Sequence, residues 1–161
     1  GVEVLRQKGW RIPEQAVREG LRRTVWPARF EVLRRADPVC IVDGGHNPHG
    51  VRGTAESLRR LFPHTPVTFV IGILEDKDVS GVLEALLPLA GRCYTVRPDS
   101  PRAMDQEALA RAVRAQGVPA EACPSVPEGV RRAMAHAGRG GVVCAVGSLY
   151  MAGEIRALFQ K

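Results

Sequence analysis

The sequence has no run of apolar residues long enough to cross a membrane as a helix, and no leader of the secretory kind. It is poor in aromatic residues: four Phe, two Trp and two Tyr among 161 positions, not interleaved with the basic residues. That argues against a single-strand stacking platform, and no zinc-finger or RNA-binding signature is present. Nucleic acid and membrane are therefore not expected partners. The four cysteines contain no Cys-x-x-Cys pair. Cys40, Cys93 and Cys144 fall in apolar, strand-like runs and read as small buried hydrophobes, which fits a reducing cytoplasm. His46, His49 and His64 have no third ligand spaced to complete a metal site, so none is predicted. A Gly-x-x-x-x-Gly-Lys-Ser/Thr phosphate loop is missing, as are a Gly-x-Ser-x-Gly elbow and a dinucleotide fingerprint. The chain alone thus lacks a complete set for phosphoryl transfer or ester hydrolysis.

What is present is an alternation of apolar runs. Short strands are predicted at Phe30 to Leu33, Val39 to Val42, Val67 to Ile73, Arg92 to Val96, Glu121 to Cys123 and Gly141 to Val146. Between them lie helical patterns: Pro48 to about Leu61, Val79 to Leu89, Asp105 through Gln116, Pro127 to near Gly138, and finally Leu149 to Phe159. Val2 to Gly9 reads as the end of a helix closed by its glycine. The order calls for an α/β fold: three layers, a mostly parallel Rossmann-like sheet with helices on both faces. Residues 1–25 read as the end of a preceding domain and a linker, and the chain begins without an initiator Met. The formal charge of +6 comes mainly from arginine spread through helices, as at Arg18 to Arg23 and Arg59-Arg60. It reads first as a solvated surface, and second as a match for a partner rich in phosphate or carboxylate.

The most informative segment is Asp43-Gly44-Gly45-His46-Asn47-Pro48, between an apolar strand and an amphipathic helix. Asn47 suits a helix N-cap and Pro48 the first helical position. In an open parallel sheet, ligands bind beyond the carboxyl ends of strands, where Asp43 and His46 are expected. Asp-Gly and Asn-Pro are also ordinary turn and cap chemistry. Arg29 precedes the first strand, and Ser148 follows the last, where it can cap the last helix. A basic side chain, two helix ends and a hydroxyl suit an anionic ligand. A carboxylate beside glycines suits ribose hydroxyls.

Five motifs occur in order: Trp26-Pro27-Ala28-Arg29-Phe30-Glu31, Asp43 to Pro48, Phe69 to Asp78, Ser100-Pro101-Arg102-Ala103, and Val146-Gly147-Ser148-Leu149-Tyr150. Together they resemble the C-terminal domain of folylpolyglutamate synthase, including its bifunctional dihydrofolate synthase form, in the Mur ligase superfamily. The resemblance covers residues 26–161, as a Mur ligase C-terminal-like domain. Gly45 departs from it, since the family usually has alanine there, yet a small residue is kept.

The resemblance implies an ATP-dependent amide ligase that adds L-glutamate to folates, and possibly to dihydropteroate, through an acyl phosphate. ATP and Mg2+ are implied, with the phosphate loop and the metal ligands on the preceding domain of the same chain. Arg29 matches the arginine that reaches the ATP phosphates, and Asp43 the residue that holds the ribose. His46 and Ser148 match positions associated with the incoming glutamate, so Arg29 and His46 are the catalytic candidates. Asn47 shares the motif, and its role as a cap competes with ligand contact. Arg102, in a loop before a helix, can receive a carboxylate, though no second anchor is visible. In Asp76-Lys77-Asp78 a structural reading is preferred: Asp78 caps a helix and Lys77 braces loops. Two alternatives stay open: a free-standing nucleotide- or anion-binding module, and the C-terminal domain of a cell-wall Mur ligase.

Overall fold

A computed structural model describes residues 1–160. Six strands form one sheet: β1 (Glu31–Arg34), β2 (Val39–Asp43), β3 (Val67–Ile71), β4 (Ala90–Thr95), β5 (Ala120–Ala122) and β6 (Val142–Val146). Their spatial order is β1-β2-β6-β3-β4-β5, parallel throughout except for the antiparallel β1–β2 pair. The helices are α1 (Val2–Gln7), α2 (Glu14–Arg23), α3 (Pro48–Leu61), α4 (Val79–Leu86), α5 (Gln106–Ala115), α6 (Val126–Ala137) and α7 (Ala152–Ala157).

Side chains alternate across each strand, so the sheet carries two cores. Ile41, Phe69, Ile71 and Val146 meet Val51 and Leu58 of α3, Leu83 and Leu86 of α4, and Leu109 of α5. Cys40, Val42, Val70 and Ala145 meet Val130 and Ala133 of α6 and Ile155 of α7 on the other face. Strands covered on both faces need continuous apolar runs, and β3 and β6 are buried at every position. The three-layer α/β architecture expected from the sequence is therefore the one observed.

This topology fixes where a site can open. The chain leaves β2 for α3 on one face of the sheet, and leaves β6 for α7 on the other. Because β2 and β6 are neighbours, their outgoing loops diverge and open a crevice at the carboxyl ends. Antiparallel β1 brings its own beginning to the same end, with Glu31 opposite Val42. Arg29, Asp43, His46 and Ser148 are thereby gathered from three separate strands.

Several predicted boundaries need correction. The third strand stops at Ile71, before Gly72. The first begins at Glu31, because Phe30 has a positive φ of 46° and cannot extend it. The fourth helix ends at Leu86 and passes into a 3-10 turn at Leu87–Leu89, where Pro88 has no N–H to give. The predicted helix from Leu149 to Phe159 is a 3-10 turn, Leu149–Met151, followed by the short α7. Ser148 consequently caps that turn and not an α-helix: its Oγ accepts from the Tyr150 N–H at 3.2 Å.

All four cysteines are buried and free. Burial raises their thiols, to about 12 for Cys40 and Cys93, so none is a ready nucleophile. Helix α6 is tied down electrostatically: Arg132 pairs with Glu128 on its own helix and with Glu121 of β5, and Arg131 with Glu128. Hydrogen bonds from Arg131 and Arg132 hold the Glu128 carboxyl at about 2, below its ordinary 4.5. A lowered carboxyl stabilises the fold above its unfolded value, and that contribution disappears as pH falls through the folded one. The melting-temperature gap between the parent chain and Glu128→Gln should accordingly be full above pH 4.5 and close toward pH 2. A gap that stays constant across this range would refute the assignment.

Candidate functional site

The turn after β2 is organised by Asp43, which is only 7% exposed. Its Oδ1 accepts from the Gly45 N–H at 2.7 Å, and its Oδ2 from the Phe30 N–H at 2.7 Å. The Gly44 N–H donates to the Ala28 carbonyl at 2.7 Å. Residues 28–30 are thus clasped to the turn. A Cβ at Gly44 would strike the half-exposed Leu149 side chain, which would have to swing aside. A Cβ at Gly45 would lie 2.9 Å from Asp43 Oδ1 and 3.3 Å from Val51 Cγ1, a tight but small intrusion.

Arg29 sits between two residues in the left-handed region, Ala28 at φ 55° and Phe30 at φ 46°. Such backbone is costly for residues with a side chain and persists where the surroundings hold it. Here Asp43 and Gly44 hold it on one side. On the other, Glu31 accepts from the Ala28 N–H at 2.8 Å and from Arg156 Nε at 3.2 Å. The Arg29 guanidinium is exposed and has no protein partner among the described residues.

His46 follows, with Nδ1 at 2.9 Å from the Gly44 carbonyl oxygen. That oxygen only accepts, so Nδ1 carries the proton, and Nε2 keeps a lone pair when the ring is neutral. Asn47 is the N-cap of α3, its side chain accepting from the Gly50 N–H at 2.8 Å. Ser148 is 2% exposed, and no protein acceptor takes its hydroxyl proton among the described residues. The Gly147 N–H donates to the Gly45 carbonyl at 2.9 Å, stitching the β2 and β6 loops together. Gly147 has φ 110°, and a Cβ there would come within 2.5 Å of the Gly72 carbonyl oxygen.

A cavity of about 150 Å³ joins His46, Ser148 and Arg102, with Lys77, Leu74, Leu149 and Tyr150 completing its wall. Three residues singled out from separate motifs therefore share one enclosure. Arg29 and Asp43 belong to the other side of the same turn and do not line it. Lys77 and Tyr150 are wall residues to which the sequence assigned no ligand. Their adjacency to Asp76 and Ser148 inside recognisable motifs was the available signal. Asp78 caps α4, accepting from the Gly81 N–H at 2.9 Å. Arg102 has the anchor that the sequence did not show: its Nη1 lies 2.9 Å from Asp76 Oδ2. A larger cleft of about 640 Å³ opens beyond β4 and β5, beside Arg97, Asp99 and Glu154, and shares none of these residues.

Among the described residues no three His, Cys, Asp or Glu side chains converge on a metal position. Chemically, the crevice offers one free guanidinium, one imidazole lone pair, one hydroxyl proton and two ammonium- or guanidinium-type cations. This is a set for binding anions and for accepting a proton. Replacing Asp43 by Ala would leave the Gly45 and Phe30 N–H groups without their acceptor. It should cost about 2–6 kcal/mol in urea unfolding, while Asp43→Asn, which retains one acceptor oxygen, should cost less. Equal midpoints for all three proteins would contradict the clasp.

Comparison with known proteins agrees with this fold. The family described as "Mur ligase, glutamate ligase domain" matches residues 28–149. The folylpolyglutamate synthase of Lacticaseibacillus casei is 36% identical over 102 residues, 63% of this chain and 23% of that protein. The solved Mycobacterium tuberculosis folylpolyglutamate synthase complexed with ADP superposes with a TM-score of 0.85 at 30% identity, covering 95% of this chain and 36% of that one. A bifunctional folylpolyglutamate synthase/dihydrofolate synthase with Mn, AMPPNP and L-glutamate bound gives 0.84 at 27% identity, covering 99% and 38%. The chain spans 18 to 23% of the length of the first curated relatives it matches. The family match runs from the Arg29 loop to the Ser148 turn, across every strand end that builds the crevice, and the chain belongs to the Mur ligase family as its glutamate ligase domain.

Proposed function

We propose that this chain is the C-terminal domain of an ATP-dependent carbon–nitrogen ligase that adds L-glutamate to a folate, or to dihydropteroate, through an acyl phosphate. The observation that carries this reading is the shared cavity of His46, Ser148 and Arg102, at the crevice beside the free Arg29. Relatives named as folate ligases, and a neighbour holding AMPPNP, Mn and L-glutamate, support it over a cell-wall ligase. Residues 1–25 are proposed as the end of a preceding domain and a linker. Neither α1 nor α2 has a buried side chain, and Trp10, Leu21 and Val25 stand 65%, 70% and 84% exposed. The buried free thiols suit a reducing cytoplasm.

In this reading the glutamate amine attacks the acyl carbon. The C–N bond forms, the C–O bond to phosphate breaks, and phosphate leaves. His46 Nε2 is the group suited to accept the amine proton, since Nδ1 is committed to Gly44. Ser148 donates its hydroxyl proton to a glutamate carboxylate. Arg29, unpaired on its constrained loop, offsets charge that builds on the transferred phosphoryl group. Asp43 holds that loop, and each of its oxygens keeps a second lone pair for a ribose hydroxyl. Asn47 acts first as the cap of α3. Mg2+, which the resemblance implies, is assigned to ligands on the preceding domain, and among the described residues no His, Cys, Asp or Glu cluster is proposed to hold it.

The full-length ligase should incorporate L-glutamate into a folate with release of ADP and phosphate; an enzyme that does not would defeat the reading. Within it, Arg29→Ala should raise the activation barrier by about 2–4 kcal/mol with little change in nucleotide affinity. Ser148→Ala should raise the glutamate KM roughly tenfold and leave the ATP KM alone, as loss of a hydrogen bond to a charged group implies. If Ser148 only caps its turn, Tm falls and both KM values stay put.

A further inference from the structure

The cavity of His46 and Ser148 is also lined by two cationic residues, Arg102 and Lys77. Both rest on one atom. Asp76 Oδ2 lies 2.9 Å from Arg102 Nη1 and 3.3 Å from Lys77 Nζ. Asp76 itself is not part of the wall. The two segments that meet there are also joined along the backbone. The Glu75 N–H donates to the Arg102 carbonyl at 2.8 Å, and the Met104 N–H to the Ile73 carbonyl at 2.9 Å. Leu74 bridges Ala103 between them.

Asp76 therefore ties together two flexible side chains that line the same cavity as the imidazole and hydroxyl. Desolvation works against its charge. The Lys77 hydrogen bond and the charges of Arg102 and Lys77 outweigh it, holding the carboxyl below its ordinary value. One carboxylate against two cations leaves a net positive corner. Arg102 spends a single N–H on Asp76, so most of its five donors remain for a ligand. A fork of this kind recognises a carboxylate by geometry and charge, whereas a neutral amide offers half the acceptors and no charge.

We infer that Asp76 is a positioning residue that makes the site select a dicarboxylic amino acid: it holds Arg102 and Lys77 where they receive the acceptor's second carboxylate. This rests on the glutamate-ligase reading of the cavity. The first carboxylate goes to Ser148, and the second reaches the Arg102–Lys77 corner. Glutamine, equal in length and neutral at its far end, is excluded by that corner.

The test uses the full-length ligase with L-glutamate and L-glutamine as competing acceptors. Asp76→Ala and the near-isosteric Asp76→Asn should each raise the glutamate KM roughly tenfold. Both should cut the glutamate-over-glutamine ratio of kcat/KM by a similar factor, with kcat at saturating glutamate within about twofold of the parent. Asp76→Glu should restore part of the ratio. Adding Asp76→Ala to the double variant Arg102→Ala/Lys77→Ala should cost no further selectivity, because Asp76 acts through those two side chains. A lowered Tm with KM and selectivity unmoved would make Asp76 a loop brace and overturn the inference. So would a further loss of selectivity when Asp76→Ala is added to the Arg102→Ala/Lys77→Ala variant. A parent enzyme that couples glutamate while the Asp76 variants select normally removes this inference alone. A parent enzyme that couples no glutamate removes the underlying reading as well.

Discussion

Two backbone N–H groups, from Phe30 and Gly45, end on the two oxygens of the Asp43 side chain. Each belongs to a segment with no regular structure of its own. Without an acceptor, both donors would be withdrawn from water unpaired, at about 1–3 kcal/mol each. With it, the loop before β1 and the turn after β2 become one rigid piece. The left-handed residues around Arg29 are then held by contacts distant in sequence. The turn's next carbonyl orients His46, and the one after it receives the Gly147 N–H from the β6 loop. Arg29, His46 and Ser148 inherit their positions from this one carboxylate.

The sheet topology supplies the place, and Asp43 supplies the precision. Divergence of the β2 and β6 connections opens a crevice in any fold of this order. It does not decide how far apart the loops stand. Here three glycines set that distance: Gly44 against Leu149, Gly45 against Asp43, and Gly147 against the Gly72 carbonyl. A side chain at Gly147 would push against backbone, not against a yielding side chain, and its φ is one that L residues rarely adopt. At Gly147 the approach is backbone to backbone, and there a side chain has no room to yield.

How much of this was legible in the sequence divides along physical lines. Strand and helix identities follow from local periodicity, and all six strands lie where the apolar runs placed them, with ends shifted by a few residues. Caps at Asn47, Asp78 and Asp105 were readable because a cap is a contact three residues long. The two misjudged helices have non-local or proline causes. Pro88 tightens the end of α4, and Ser148 turns the chain through a 3-10 step before α7 can start. The crevice residues were found through motifs, since each motif is local. Their grouping was only partly foreseeable. Arg102 and Asp76 are 26 positions apart, and no spacing rule brings them together. Lys77 read as a brace, yet the same ammonium that leans on Asp76 also faces the cavity.

The net charge of +6 gains meaning only after pairing is counted residue by residue. Arg131 and Arg132 are spent on Glu128 and Glu121, Arg114 on Glu107, and Arg22 and Arg23 on Glu19. Such surface pairs contribute little individually and are screened by salt. Arg29 differs because its loop is clasped from both sides while its guanidinium is left unpaired. Arg102 and Lys77 differ because the pair that shares Asp76 also lines the cavity of His46 and Ser148. Exposed arginines such as Arg52, Arg59, Arg60, Arg97 and Arg111 lie elsewhere on the chain, so basic charge by itself does not mark the crevice. A uniformly basic surface attracts any polyanion. What sets the crevice apart is that Arg102 and Lys77 line one cavity with an imidazole lone pair and a hydroxyl proton, so an anion drawn there meets groups that fix its orientation.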